Sequence, residues 1–211
     1  MKIDSSNALQ ILVLIGGLSL IPAILFTVTG FTRILIVLGF IRSAMGTTTT
    51  PPNQVLVGIA LFLTLFVMSP TISAIKKDAY EPLQHHQITM STAITRAEEP
   101  LREFMFHQVQ ATDLSLFVNL ARIKPPQTRA QVPTYVLIPA FIMSELKTAF
   151  QIGFLIFLPF LIIDLIVSST LMSVGMMMLP PTFISLPFKI LLFVLVDGWD
   201  LITRSLVASF H

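Results

Sequence analysis

Few side chains in this 211-residue sequence are placed to do chemistry, and most of those stand in apolar surroundings. Asp164 closes the run GFLIFLPFLIID and Lys189 interrupts LPFKILLFVLV, each the lone ion of a long hydrophobic stretch. An ionisable group at membrane depth is costly and is by default paired or functional. The two are therefore candidate membrane-depth charges: a buried ion pair that fixes packing, or, at Asp164, a carboxylate that relays protons. If the turn between them centres near Leu179, they lie 15 and 10 positions from it, about 22 and 15 Å along the helix axes. That offset is too large for a snug antiparallel pair in one chain without a kink, and pairing between subunits is the alternative.

The other ions are weaker candidates. Glu145 and Lys147 are two residues apart, so on one helix they cannot face each other and must meet different neighbours or sit at a polar rim. Arg33 and Arg42 are nine apart, which at 100° per residue sets them on opposite faces; each is expected to snorkel to an interface. His85 and His86 are adjacent and point apart, with no acidic partner at metal-ligand spacing. The serines lack a GxSxG context, and there is no HExxH and no Gly-rich phosphate loop. Cysteine is absent, which removes disulfides and thiolate chemistry. No enzyme, cofactor or metal is expected. Met176, Met177 and Met178 stand between Gly175 and Pro180. Met is unbranched and soft, so three in a row make either a hydrophobic interhelical turn or an apolar plug that deforms and reseals.

The elements that must hold these residues are membrane helices. The chain is 54% hydrophobic and 11% charged, where soluble domains carry about 25% charged residues. Thirteen of the 24 charged residues fall between Lys76 and Arg129, while residues 5–32, 43–75 and 165–188 carry none. Those thirteen are mixed in sign, seven basic and six acidic, so no basic face suggests nucleic acid. The fold expected is all-α: a multi-helix membrane protein of helical hairpins with a small helical insert. Three parts follow: N-terminal hydrophobic helices over residues 1–75, a polar helical insert over 76–133, and C-terminal hydrophobic helices with the Met-rich turn over 134–211. Residues 8–29 are apolar for the ~20 residues a span needs, although Gly16, Gly17 and Pro22 interrupt them. Met1 to Gln10 lack the basic start and small-residue cleavage pattern of a secretory signal. Either the chain inserts through its own first span, or a leader precedes this numbering.

Residues 31–46 and 54–70 read as helices separated by the TTTTPPN turn, the second running on towards Ile75. Within the insert, residues 88–96 and 100–120 read as helical, the latter with a stripe of Leu101, Phe104, Met105, Val109, Leu114, Phe117 and Leu120. An insert of that size has little core of its own, so the stripe is expected to pack on copies or partners. Residues 135–144 form a further apolar element bent at Pro139, and residues 185–210 a last hydrophobic helix.

The blocks FTRILIVLGFIRSAMGT, PPNQVLVGIALFLTLFVMSP, SELKTAFQIGFLIFLPFLIID, MMMLPP and LPFKILLFVLVDGW resemble the FliP family (SpaP and SctR in virulence systems) of type III secretion export gates. The likeness runs from about Pro22 to Trp199. It implies a channel-forming subunit of the flagellar type III protein export gate, conducting unfolded flagellar subunits across the bacterial inner membrane at the basal body. It implies a homo-oligomer, a pentamer in the family, built with FliQ-like and FliR-like subunits beside FlhB-like and FlhA-like export components, in contact with lipid and not with nucleic acid. The insert corresponds to a periplasm-facing part. Phe104, Phe117 and Glu145 match subunit-contact positions, Asp164 and Lys189 match membrane-depth charges, and Met176 to Met178 match a methionine gasket that closes the channel. Many members begin with a cleavable signal and a longer leader than the stretch before this chain's first apolar element. Two other functions are open to such a sequence: a scaffold that nucleates the basal body without lining the path, and a small-solute transporter. The latter needs paired repeats that are not visible here.

Overall fold

A computed structural model describes residues 16, 22–47, 49–176 and 179–210; among these every regular element is helical. Most of the first apolar element, with Gly17, and the gasket candidates Met177 and Met178 lie outside the described residues. The helices are α1 (Pro22–Val28), α2 (Phe31–Ala44), α3 (Asn53–Val67), α4 (Ser69–Ile75), a π-helical turn (Lys76–Tyr80), α5 (Glu81–Gln84), α6 (Met90–Gln108), α7 (Ala111–Leu120), α8 (Thr134–Ser173), α9 (Pro181–Leu195) and α10 (Gly198–Ala208).

The axis of the molecule is α8. Its 40 residues make a rod about 60 Å long, twice the ~30 Å hydrocarbon thickness of a bilayer. It is long and apolar enough to cross a membrane. The helix runs through Pro139 and Pro159 where the sequence suggested two elements with a bend at Pro139. Each proline removes one N–H from the ladder, and the intact bonds on either side carry the helix through.

Where α8 stops is a matter of local chemistry. Gly175 adopts φ +79°, its N–H reaches the Met172 carbonyl at 3.1 Å, and the Met176 N–H reaches the Leu171 carbonyl at 3.0 Å. This is a Schellman cap, and the left-handed backbone at its centre is open to glycine without steric cost.

Three other apolar segments are bent rather than straight: α1 to α2 by 82°, α3 to the helix of residues 69–84 by 60°, and α9 to α10 by 65°. The last of these corrects the single helix expected over residues 185–210. The chain breaks at Asp197, φ 49°, in the left-handed region that aspartate tolerates better than most residues.

Against α8 pack two cores. In the first, Phe31, Ile34, Val37, Leu38 and Ile41 form the buried stripe of α2 and meet Leu56 and Ala60 of α3, Ala149 and Phe160 of α8, and Leu206 of α10. Their spacing of three and four is that of one helix face. Apolar burial alone cannot hold helices together in lipid, so close approach matters more. Gly153 supplies it: a Cβ there would sit 2.5 Å from the Phe40 ring of α2, and Phe40 stacks edge-on with Phe150 at 5.4 Å.

In the second core, Met105 and Val118 meet Val136, Leu137 and Phe141 at the start of α8, with Leu101, Phe104, Val109, Leu114 and Phe117 packed around them. The amphipathic stripe of the polar stretch, expected to pack on copies or partners, packs against the start of α8 in its own chain. The reason is geometric: the first turns of α8 offer Val136, Leu137 and Phe141 as an apolar wall. Leu120 alone of that stripe stays open, 66% exposed. The stripe also belongs to two helices, because the chain breaks between Gln108 and Ala111.

Candidate functional site

Three polar clusters are strung along α8, at Ser144–Lys147, at Glu145 and at Asp164, and the methionine turn lies beyond the last. Glu145 and Lys147 meet different neighbours, as their two-residue spacing requires. Glu145 binds Arg33 of α2 in a two-pronged ion pair, Nε to Oε2 at 3.0 Å and Nη2 to Oε1, with the two side chains 2% and 1% exposed. Arg33 is thus fully buried, and the expectation that it snorkels to an interface is wrong. Its partner is 112 residues away in sequence, and a guanidinium matches a carboxylate with two parallel hydrogen bonds. Arg42 is half-buried and donates to Asn53 Oδ1 at 2.5 Å.

Lys147 binds Asp113 Oδ1, and the Ser144 hydroxyl donates to Asp113 Oδ2 at 2.8 Å. The Gln110 N–H donates to the same hydroxyl at 2.9 Å, so this cluster ties the α6–α7 break to α8. Burial pushes the Asp113 carboxyl up; the hydrogen bonds from Lys147 and Ser144 and the Lys147 charge outweigh it and hold the group below the usual carboxylate range. Asp113 did not stand out in the sequence. It sits in the first turn of α7, where an acid is ordinarily a solvated complement to the helix dipole, yet it is 1% exposed.

Asp164 and Lys189 meet within the chain: Lys189 Nζ donates to Oδ2 at 2.6 Å, and the Ser185 hydroxyl donates to Oδ1 at 2.6 Å. The expected offset vanishes because the turn is centred earlier than Leu179. Asp164 lies nine residues before the last residue of α8, Ser173, and Lys189 lies eight after the first of α9, Pro181, about 13 and 12 Å along the axes. Glu145 and Asp164 are 19 residues apart on α8, about 28 Å, close to one hydrocarbon thickness.

At the turn, Met176 is 44% exposed. Phe104 is half-buried, edge-on to Phe141 at 5.9 Å and stacked on Phe210 at 6.3 Å. Phe117 is half-buried against the second core. Among the described residues no group of acids and histidines is arranged to hold a metal ion.

The sequence matches the FliP family over residues 14–206. It is 56% identical to the flagellar biosynthetic protein FliP of Bacillus subtilis over 205 residues, which cover 97% of this chain and 93% of that protein. The chain belongs to the FliP family. The FliP of Pectobacterium carotovorum is 57% identical over 204 residues, covering 97% of this chain and 79% of the relative. That of Caulobacter vibrioides is 50% identical over 207 residues, covering 98% and 78%. Family and α8 together make this chain a membrane-associated member of a flagellar biosynthetic family.

Proposed function

We propose that the chain is a channel-forming subunit of the flagellar type III protein export gate in the inner membrane. Several copies, five by the likeness to the family, enclose a path with FliQ-like and FliR-like subunits, next to FlhA-like and FlhB-like export components. Unfolded flagellar subunits pass through, and no chemistry is done on them. Residues 76–133 face the periplasm. Met176 to Met178 of each copy close the path when it is idle.

The observation that carries this reading is the length of uncovered apolar surface on α8. Phe150, Phe154, Leu155, Leu161, Ile162, Leu165, Ile166, Met172 and Val174 are all exposed. From Phe150 to Val174, the residue that caps α8, they extend over 25 residues, about 36 Å, and the exposed Tyr135 and Met143 carry the face further towards the start of the helix. A ~30 Å hydrocarbon layer cannot cover all of it, whereas neighbouring subunits can. The same helix ends in a cap that presents Met176 outward. A single turn cannot close a path wide enough for a polypeptide, so the methionines act only as copies around an axis.

The test is the triple change of Met176, Met177 and Met178 to Ala in the assembled complex. A seal predicts that the complex still forms while small ions leak through the resting membrane. A scaffold that does not line the path predicts normal assembly with an unchanged leak, and that outcome rejects the gate.

A further inference from the structure

The turn that follows α10 holds the ion pair at the centre of the molecule. Arg33 has five N–H donors, and every one has an acceptor: two reach Glu145, one of these from Nε and one from Nη2. Nη2 also reaches Gln108 Oε1 at 2.9 Å. Nη1 reaches the Ser209 carbonyl at 2.7 Å and the Ser209 hydroxyl at 3.1 Å. The Phe210 ring then lies over the guanidinium, 4.0 Å from it, and the Phe210 carbonyl accepts from Gln108 Nε2 at 2.9 Å. Two carbonyls at the end of α10 are thus capped by side chains from α2 and α6, with a cation at the negative end of the helix dipole.

The seat for that ring is built. Gly30 has an ordinary backbone, φ −70° and ψ 0°, open to any residue, yet a Cβ there would lie 2.6 Å from the Phe210 ring. Phe210 is itself 7% exposed and continues the four-residue spacing of Gly198, Ile202 and Leu206, the buried stripe of α10.

We propose that Ser209 and Phe210 form an intramolecular clasp that sequesters the Arg33–Glu145 pair and joins α2, α8 and the end of α6 into one body. While the clasp is seated, Glu145 is closed off and the polar stretch moves with the membrane helices. When it lifts, Nη1 and the Gln108 amide lose their acceptors, water reaches the guanidinium, and Glu145 opens. The clasp is a property of one chain and holds whether or not that chain lines a pore.

Two substitutions test it in the purified full chain in mild detergent. Phe210→Ala removes the ring, and Gly30→Ala unseats it by a Cβ that meets the ring, without altering any clasp residue or straining the backbone. Carbodiimide coupling reads the exposure of Glu145, and amide exchange reads the peptides around Gln108. A clasp predicts that both variants raise the coupling rate at Glu145 and the exchange near Gln108 by about tenfold. If both changes stop at residues 205–210, leaving Glu145 inert and Gln108 protected, the turn is a frayed end and the clasp is refuted. Should Phe210→Ala fail to fold, Gly30→Ala decides alone by the same two readings.

Discussion

Replacing Glu145 by Ala takes the counter-charge from a guanidinium that has no water to turn to. The two side chains are 2% and 1% exposed, and removing one member of a buried pair costs about 3–5 kcal/mol because the other charge stays behind. For a chain of this length each kcal/mol moves Tm by about 2–4 °C, so Glu145→Ala is expected to lower Tm by roughly 6–20 °C. Taking both charges away in Arg33→Leu with Glu145→Leu removes the uncompensated ion. It leaves the Ser209 carbonyl and Gln108 without a donor, a remaining cost of about 1–3 kcal/mol. Arg33→Leu and Glu145→Leu made singly each cost about 3–5 kcal/mol, so the double change is less damaging than their sum, with a coupling of at least about 3 kcal/mol. Thermal unfolding in mild detergent reads this through Trp199, the chain's single tryptophan, which packs edge-on to Phe193 at 5.3 Å. A Glu145→Ala Tm within about 2 °C of the parent, or purely additive losses, refutes the buried pair.

Asp164→Ala strands Lys189, whose side chain is 3% exposed. Because Asp164 itself is 26% exposed, the expected cost is smaller, about 2–3 kcal/mol, and adding Lys189→Met should recover more than half of it in the same melt. Gly153→Val drives a side chain into Phe40 of α2 and is expected to cost about 1–3 kcal/mol; Phe40→Ala in the same chain should return part of that loss. The Asp113 carboxyl is held below its usual range in the folded protein, so its contribution is fully present above the ordinary carboxylate pKa near 3.8 and is lost as pH falls through the lower folded value. The stability gap between the parent and Asp113→Asn should accordingly be constant from neutral pH down to about 5 and close only in stronger acid; a gap that closes between pH 7 and 5 would contradict it.

The parts of this fold that were legible in the sequence are those where one residue type dominates a local choice. The apolar run of α8 and its stop at Gly175 follow from hydropathy and from the freedom of glycine at positive φ. Asp164 and Lys189 were visible because each is alone in its run, and only a misplaced turn centre hid their pairing. Arg33 and Asp113 were not visible. Their partners lie far along the chain, and each occupies a spot where the bland choice is sound: a cation near a helix start that could reach an interface, and an acid in a first turn. The break at residues 109–110 carries no proline or glycine, and packing against α8 accompanies it; at the other, Gly198 follows Asp197 directly and lets the Phe193 ring approach across the bend, where a Cβ would lie 2.4 Å from it. Within the candidate site, Met177 and Met178 lie outside the described residues, so their part rests on the family and on Met176.

The most direct test of the central claim is the native mass of the complex extracted from membranes in mild detergent, followed by imaging. The account predicts a closed oligomer in which the apolar face of α8 is covered by neighbouring subunits and Met176 lies near the central axis. A stable monomer, with that face of α8 in contact with detergent alone, would contradict it.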